Sequence, residues 1–224
     1  MIYVQSPHPP GTVAVVTGEL ARYVDFEIGM DALQVPSGSA IVRIKGSSVS
    51  RNRNQIVEKY LHGEWVCFID DDQIVPADTL LRLLSHGKPI VGALYSTKHV
   101  PFSPVALRAF DEKTRHYVPY QWREMKGLVP VRAAGTGGML IRRSVFDLLG
   151  PPPWFHAQEF TDDIYFCNKA HDAGIEMYVD ADARIGHTTT MNVWPDATHT
   201  GVHLEVDWLR IEIPDDGDVP PTAN

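Results

Sequence analysis

Residues 65–72 read Trp-Val-Cys-Phe-Ile-Asp-Asp-Asp, five apolar residues that stop at three carboxylates. A short apolar run without alternation is the pattern of a strand covered on both faces, and strands of that kind belong to parallel sheets flanked by helices. Acid placed directly after such a strand lies at its carboxyl end, where sheets of this class bind ligands. The stretch thus suggests an architecture and a place to look for chemistry.

The flanking sequence extends the same alternation. Upstream, TVAVV at 12–16 is a β-branched run closed by Thr17-Gly18, which suits a first core strand. Between Arg51 and Leu61, Ile56, Val57, Tyr60 and Leu61 fall at helical spacing, with Ser50 as the N-cap and Gly63 near the end. Downstream, Leu80, Leu81, Leu83 and Leu84 mark a helix over 77–85 that Gly87 stops, and 89–94 is the next strand. Residues 95–132 are rich in proline, charge and aromatics and lack a period, so they read as a long loop or hairpin region that shapes a site. Further elements are a strand over 138–142, a helical turn over 144–149, a helix over 161–173 with Ile164, Cys167 and Ala170 on one stripe, and a strand over 175–179. The prediction is an α/β, Rossmann-like fold with a mostly parallel central sheet flanked by helices. One domain fills residues 1–213, and 214–224 form a flexible tail.

Composition narrows the function. With 224 residues, 44% hydrophobic and 21% charged, the chain closes a core by itself. Its apolar runs are too short to span a bilayer and its start lacks a signal-peptide layout, which predicts a soluble protein of the cytoplasm with no membrane partner. The two cysteines, Cys67 and Cys167, lie in apolar surroundings without a C-x-x-C pattern, so both read as buried free thiols. A formal charge of −8 disfavours general attraction to nucleic acid or anionic lipid. Local basic patches remain: the segment Ser50-Arg-Asn-Arg-Asn54, and a groove of Arg108, Lys113, Arg115, Arg123, Lys126 and Arg132 that would suffice for a short stretch of DNA.

Three adjacent carboxylates repel one another. A divalent cation relieves this, and oxygen ligands favour Mg²⁺ or Mn²⁺ completed by substrate phosphates. The same residues also suit a solvated acidic turn before a helix. Thr161, Asp162 and Asp163 likewise serve either chemistry or the cap of a helix.

Taken together, the motifs resemble the nucleotide-sugar glycosyltransferases of the GT-A fold. The pieces are TVAVVTG, the Arg53-Asn54 pair, FIDDD at 68–72, Pro76 with LLRLL, PIVGALY, AAGTGGMLIRRSVF at 133–146, PPWF at 152–155, TDDIYFC at 161–167 and Gly186-His187. They cover most of residues 12–190 in the family's order. The resemblance implies a metal-dependent transferase moving a sugar from a nucleoside-diphosphate sugar, with UDP as the nucleotide, to an acceptor hydroxyl with inversion. It makes Asp70 and Asp72 the acidic positions of an Asp-x-Asp motif, with Asp72 on the metal and Asp70 on the ribose, the metal or a metal-bound water. His187 becomes a further metal ligand, and an imidazole among carboxylates tilts the ion toward Mn²⁺ over Mg²⁺. Asp163 becomes the general base, with Glu159 as a substitute because the family's usual Glu-Asp pair is here Asp162-Asp163. Thr17, Arg51, Arg53, Asp71, Gly137 and Gly138 become donor contacts, and Trp154 and Phe155 are either a sugar platform or a buried aromatic pair. The acceptor stays open among a modified DNA base, a protein and a glycan, in keeping with a phage or bacterial accessory enzyme working in the host or bacterial cytoplasm. An aspartate phosphohydrolase and a non-catalytic nucleotide-sugar binder are the alternatives.

Overall fold

The computed structural model describes residues 1–17, 23–46, 48–98, 102–158, 160–189, 192–195, 201–206 and 209–214. The first half of the chain contains β1 (Ile2–Val4), β2 (Thr12–Thr17), α1 (Val24–Ala32), β3 (Gln34–Pro36), β4 (Ala40–Lys45), α2 (Val49–Gln55), β5 (Trp65–Asp70), β6 (Gln73–Ile74), α3 (Thr79–Ser85) and β7 (Ile90–Leu94). The second half contains β8 (Ala106–Asp111), β9 (His116–Pro119), β10 (Leu128–Pro130), β11 (Ala133–Ala134), β12 (Met139–Arg142), α4 (Arg143–Leu149), α5 (Asp162–Asp172), β13 (Met177–Arg184), β14 (Gly186–His187), and β15 to β17 (Asn192–Pro195, Gly201–Val206, Leu209–Pro214).

Seven strands form the central sheet in the order β10-β13-β7-β12-β5-β2-β4. Strands β4, β2, β5, β7 and β13 run in one direction, and β12 and β10 run against them. The parallel majority fits the sequence. The reversed β12 was not foreseen, and its cause is the excursion between β7 and β12. That excursion leaves and re-enters at the carboxyl edge, so β12 starts opposite Gly92 and Phe68 and travels back to Trp65 without a crossover helix. Its hairpin, β8 with β9, occupies part of the region read as loop or hairpin.

Strand β5 is buried on both sides, as its composition requires. Val66 and Phe68 join the cluster with Ile56, Phe155 and Phe166, while Trp65, Cys67 and Ile69 join the opposite cluster with Phe26, Met30, Leu80 and Leu83. Helix α2 starts earlier than expected, because Ser48 and not Ser50 caps it by accepting a hydrogen bond from the Arg51 amide at 3.4 Å. A wider helical turn, Ile56–Tyr60, continues it and places Ile56 and Val57 in the core. Both cysteines are free and buried, and burial pushes each thiol up to about 12. Strands β15 to β17 form a separate antiparallel sheet that the sequence reading missed. The expected tail beyond Pro214 lies outside the described residues. Among the described residues no helix is long and apolar enough to cross a membrane.

Candidate active site

The parallel strands deliver the site's backbone. Val16 is paired with Asp70, and Thr17 stands half-buried one residue beyond, opposite Lys45. The entry into β12 closes over this edge: the Gly138 amide donates to the Phe68 carbonyl at 2.7 Å, and Gly138 holds a φ of 86°. A Cβ on Gly137 would lie 2.6 Å from Asp70 Oδ2, so a side chain there would fill the space beside the carboxylate. The hydroxyl of buried Tyr95 lies against Gly135 of the same loop, and its phenol is pushed well above its ordinary value by burial and by the nearby Asp70 and Asp163 charges.

Arg53 ties two elements together. One guanidinium nitrogen donates to Asp70 Oδ1 at 2.8 Å and the other to Asp162 Oδ2 at 2.7 Å. Only 4% of Arg53 is exposed. Burial alone would pull its pKa down, but Asp70 and Asp162 outweigh burial and raise it above the ordinary arginine value. Both terminal nitrogens are thus committed to carboxylates. Asp162 is the partner that sequence reasoning overlooked.

The turn after β5 presents Asp72 to a second cluster. Strand β14 pairs with β6, Gly186 opposite Ile74 and His187 opposite Gln73, and the Thr188 amide donates to the Asp72 carbonyl at 2.8 Å. This small ladder carries His187 across more than a hundred residues of sequence to the acidic turn. His187 Nδ1 donates to the Ser96 carbonyl at 2.8 Å, which fixes the ring, and Tyr95 packs edge-on against it at 5.3 Å. Nε2 therefore faces Asp72 Oδ1, 3.5 Å away, and that oxygen has no hydrogen-bond partner. Lys98 Nζ pairs with the other oxygen, Oδ2. Burial pushes the Asp72 carboxyl up, yet the neighbouring His187 and Lys98 outweigh it and hold it below the ordinary value. Fully buried Gln73 leaves both side-chain heteroatoms unpartnered beside Gly137, and Thr136 Oγ1 is also buried and unpartnered.

Asp163 opens α5. Its Oδ1 accepts from the Thr161 hydroxyl and from the Ile164 amide, the latter at 2.8 Å. Among the described residues Oδ2 accepts no hydrogen bond. Burial raises this carboxyl above its ordinary value against the opposing effects of Thr161 and Arg53. A carboxylate with a raised pKa and a free oxygen is suited to taking a proton.

Other expected residues fall elsewhere. Asp70, Asp72 and His187 do not converge, since among the described residues no three acidic, histidine or cysteine side chains are grouped to hold a metal. Asp70 faces Arg53 instead. Asp71 is half-buried in the turn between β5 and β6. Arg51 is exposed and lines a cavity of about 820 Å³ with Asn54, Lys59, Phe155 and His156, outside the Arg53 network. Trp154 and Phe155 are buried, Phe155 stacking on Phe166 at 4.9 Å, so the aromatic-pair reading holds. Within the proposed basic groove, Arg108 pairs with Glu124 at 3.2 Å, and Lys113 and Arg115 sit at the β8–β9 turn. Glu159 lies outside the described residues.

No curated protein matches the sequence significantly. Among solved structures, the chain is similar to A197 from STIV, at 14% identity and a TM-score of 0.49 over 80% of this chain and 94% of that one. It is also similar to GalNAc-T7, solved with UDP, GalNAc and Mn²⁺, at 12% identity and a TM-score of 0.55 over 80% of this chain and 43% of that longer one. That likeness establishes the GT-A fold. Residues 1–198 match the family model "Glycosyltransferase like family 2", and the chain belongs to that family of glycosyl-transferring enzymes.

Proposed function

We propose that the protein is a metal-dependent, inverting glycosyltransferase that uses a nucleoside-diphosphate sugar, UDP-sugar first among the candidates, with Asp163 as general base. One chain of contacts carries the reading: Asp70 to Arg53 to Asp162, with Asp163 next on the same helix turn. It links the end of β5, where a donor would lie, to a carboxylate with a free oxygen. Asp163 Oδ2 would take the acceptor hydroxyl's proton as that oxygen attacks the anomeric carbon and the diphosphate leaves with the bonding pair. Arg53 would keep Asp163 charged and Asp70 aimed. Gly137 and Gly138 would leave room for the sugar, and Thr17 and Asp71 would stand at the nucleotide end.

The residues present fit a divalent ion. Asp72 Oδ1, unpartnered, and the bare Nε2 of His187 are two lone-pair donors facing each other across 3.5 Å. An oxygen and an imidazole suit Mn²⁺. When bound, the ion would neutralise the diphosphate leaving group. With two protein ligands grouped there among the described residues, phosphate oxygens and water would complete the shell, so Mn²⁺ and nucleotide should bind interdependently. Calorimetry with UDP in Mn²⁺ and in chelator tests this, and equal affinity in the two would refute it. Release of UDP from a donor only when acceptor is present would separate transfer from hydrolysis and from binding alone. The acceptor would be a modified DNA base, a protein or a glycan.

A further inference from the structure

Lys98 enters no motif of the sequence, yet its ammonium sits on Asp72 Oδ2. It belongs to the short segment after β7 in which the Ser96 carbonyl fixes the His187 ring. One run of three residues thus orients a metal-type ligand and neutralises its carboxylate partner. The two oxygens of Asp72 are treated differently: Oδ2 carries a cation, while Oδ1 is left without a hydrogen bond and faced by a ring nitrogen. A carboxylate of one negative charge, buried enough to be poorly screened, cannot balance a divalent ion and an ammonium at once. Lys98 is about a third exposed, on a flexible four-carbon stem, so it is free to leave. The anion nearest to hand once a donor is seated is the diphosphate, whose oxygens must lie against the ion.

We propose that Lys98 is the resident counter-cation of Asp72, and that it yields this carboxylate to the divalent ion and moves its ammonium onto the donor's diphosphate. This rests on the metal-site reading above and adds a residue to it. The exchange would keep the Asp72 and His187 cluster assembled without metal. It would also make metal binding weak until a diphosphate arrives to receive the displaced charge. No bond is made or broken; one ion pair is exchanged for another.

The idea predicts two effects of opposite sign. Lys98→Met, which keeps the stem and removes the charge, should bind Mn²⁺ alone more tightly than the parent, by on the order of tenfold, because a competing cation is gone. With saturating Mn²⁺ the same variant should bind UDP on the order of tenfold more weakly, because the diphosphate loses a charged partner. Lys98→Arg, which retains the charge, should resemble the parent in the first measurement. Free Mn²⁺ followed by electron paramagnetic resonance, and UDP binding by calorimetry, read the two arms without turnover. Unchanged or weaker Mn²⁺ binding by Lys98→Met overturns the exchange while leaving the metal site standing, as does unchanged UDP affinity. Absence of Mn²⁺ binding by parent and variants alike, with or without UDP, overturns the metal site and the exchange together.

Discussion

Asp180 and Asp72 have nearly the same neighbours and opposite meanings. Asp180, on β13, accepts from Arg82 Nε at 2.6 Å, from His86 Nε2 at 2.8 Å and from the Asp182 amide at 2.9 Å. Its side chain is 1% exposed and both oxygens are engaged. Asp72 also has a histidine and a basic side chain, but its histidine stands 3.5 Å off and one oxygen is empty-handed. The first cluster is complete and fastens α3 and the residue after it to the sheet. The second is incomplete. A histidine, an aspartate and a cation do not by themselves make a site; an acceptor that the fold buries without a protein partner leaves a place for a ligand, because a partner there recovers stability.

Asp163 Oδ2 also accepts no hydrogen bond among the described residues, and substituting Asp163 should have the largest effect on function. Asp163→Asn should lower kcat by on the order of 10² to 10⁴ while donor and Mn²⁺ affinity stay near the parent values, the signature of an interaction made in the transition state. The asparagine oxygen still accepts from Thr161 and Ile164, and the cost of burying a charge disappears, so the melting temperature should not fall. A drop in UDP affinity with kcat intact would make Asp163 a donor contact, and full activity would pass the role to Asp162 or Glu159.

Next in size is the contrast in stability. Asp180→Ala leaves His86 without its anion and Arg82 with only the exposed Asp182, and should cost about 3 kcal/mol, the low end for a broken buried pair because Arg82 faces solvent on one side. Burial raises the Asp180 carboxyl, but Arg82 and His86 outweigh it and hold it below the ordinary value. Its contribution is therefore present above the ordinary aspartate range and is lost as pH falls through the lowered folded value. Urea unfolding at pH 7 should show the loss, and Mn²⁺ with UDP should still bind. Equal stability of Asp180→Ala and the parent would end the distinction between the two clusters.

The reverse pattern is expected at the acidic turn. Asp72→Asn should weaken Mn²⁺ binding in the presence of UDP by at least the 10- to 100-fold typical of residues that merely support a metal ligand. Asp71→Asn should do less, since Asp72 is the carboxylate that β14 brings His187 to face. Equal losses would put the assignment of Asp72 in doubt.

These contrasts also show what the sequence could and could not convey. The run at 65–69 and the carboxylates after it were legible because burial on both faces leaves an unbroken apolar string. Helix α1 was not: Val24 and Ile28 are exposed apolar residues on it, which blurs the period. The direction of β12 was hidden too, since a strand's composition does not record which edge the chain entered from. Asp72 and His187 could be named, but Lys98, Tyr95 and Gln73 could not. Their place depends on the β6–β14 ladder and on the path of the chain after β7, and no local pattern encodes either. Arg53 could be named but its two carboxylate partners could not, because a guanidinium suits carboxylate and phosphate alike and only the fold shows which groups are in reach.

The smallest expected effect concerns how Asp163 is kept ready. Burial favours its protonated form, and the Thr161 hydroxyl and the Arg53 charge oppose this. The net shift is upward, so the folded chain holds this proton to a higher pH than the unfolded chain does. The stability gained from that proton is present at low pH and is lost as pH rises through the raised folded value. Activity has the opposite sense, because the base works only when deprotonated. The acid limb of kcat should therefore lie above the ordinary aspartate range. Thr161→Val removes a hydrogen bond to the charged form and should move that limb to still higher pH, leaving the plateau at neutral pH nearly unchanged. Thr161→Ser, which restores the hydroxyl, should return the limb to the parent position. Thr161 is exposed, so neither variant disturbs the core and the limb is read on a folded enzyme. A limb that ignores Thr161→Val but moves with Asp162→Asn would assign the titrating base to Asp162, the carboxylate that Arg53 holds, and would break the link between an unsatisfied oxygen and function at this end of the site.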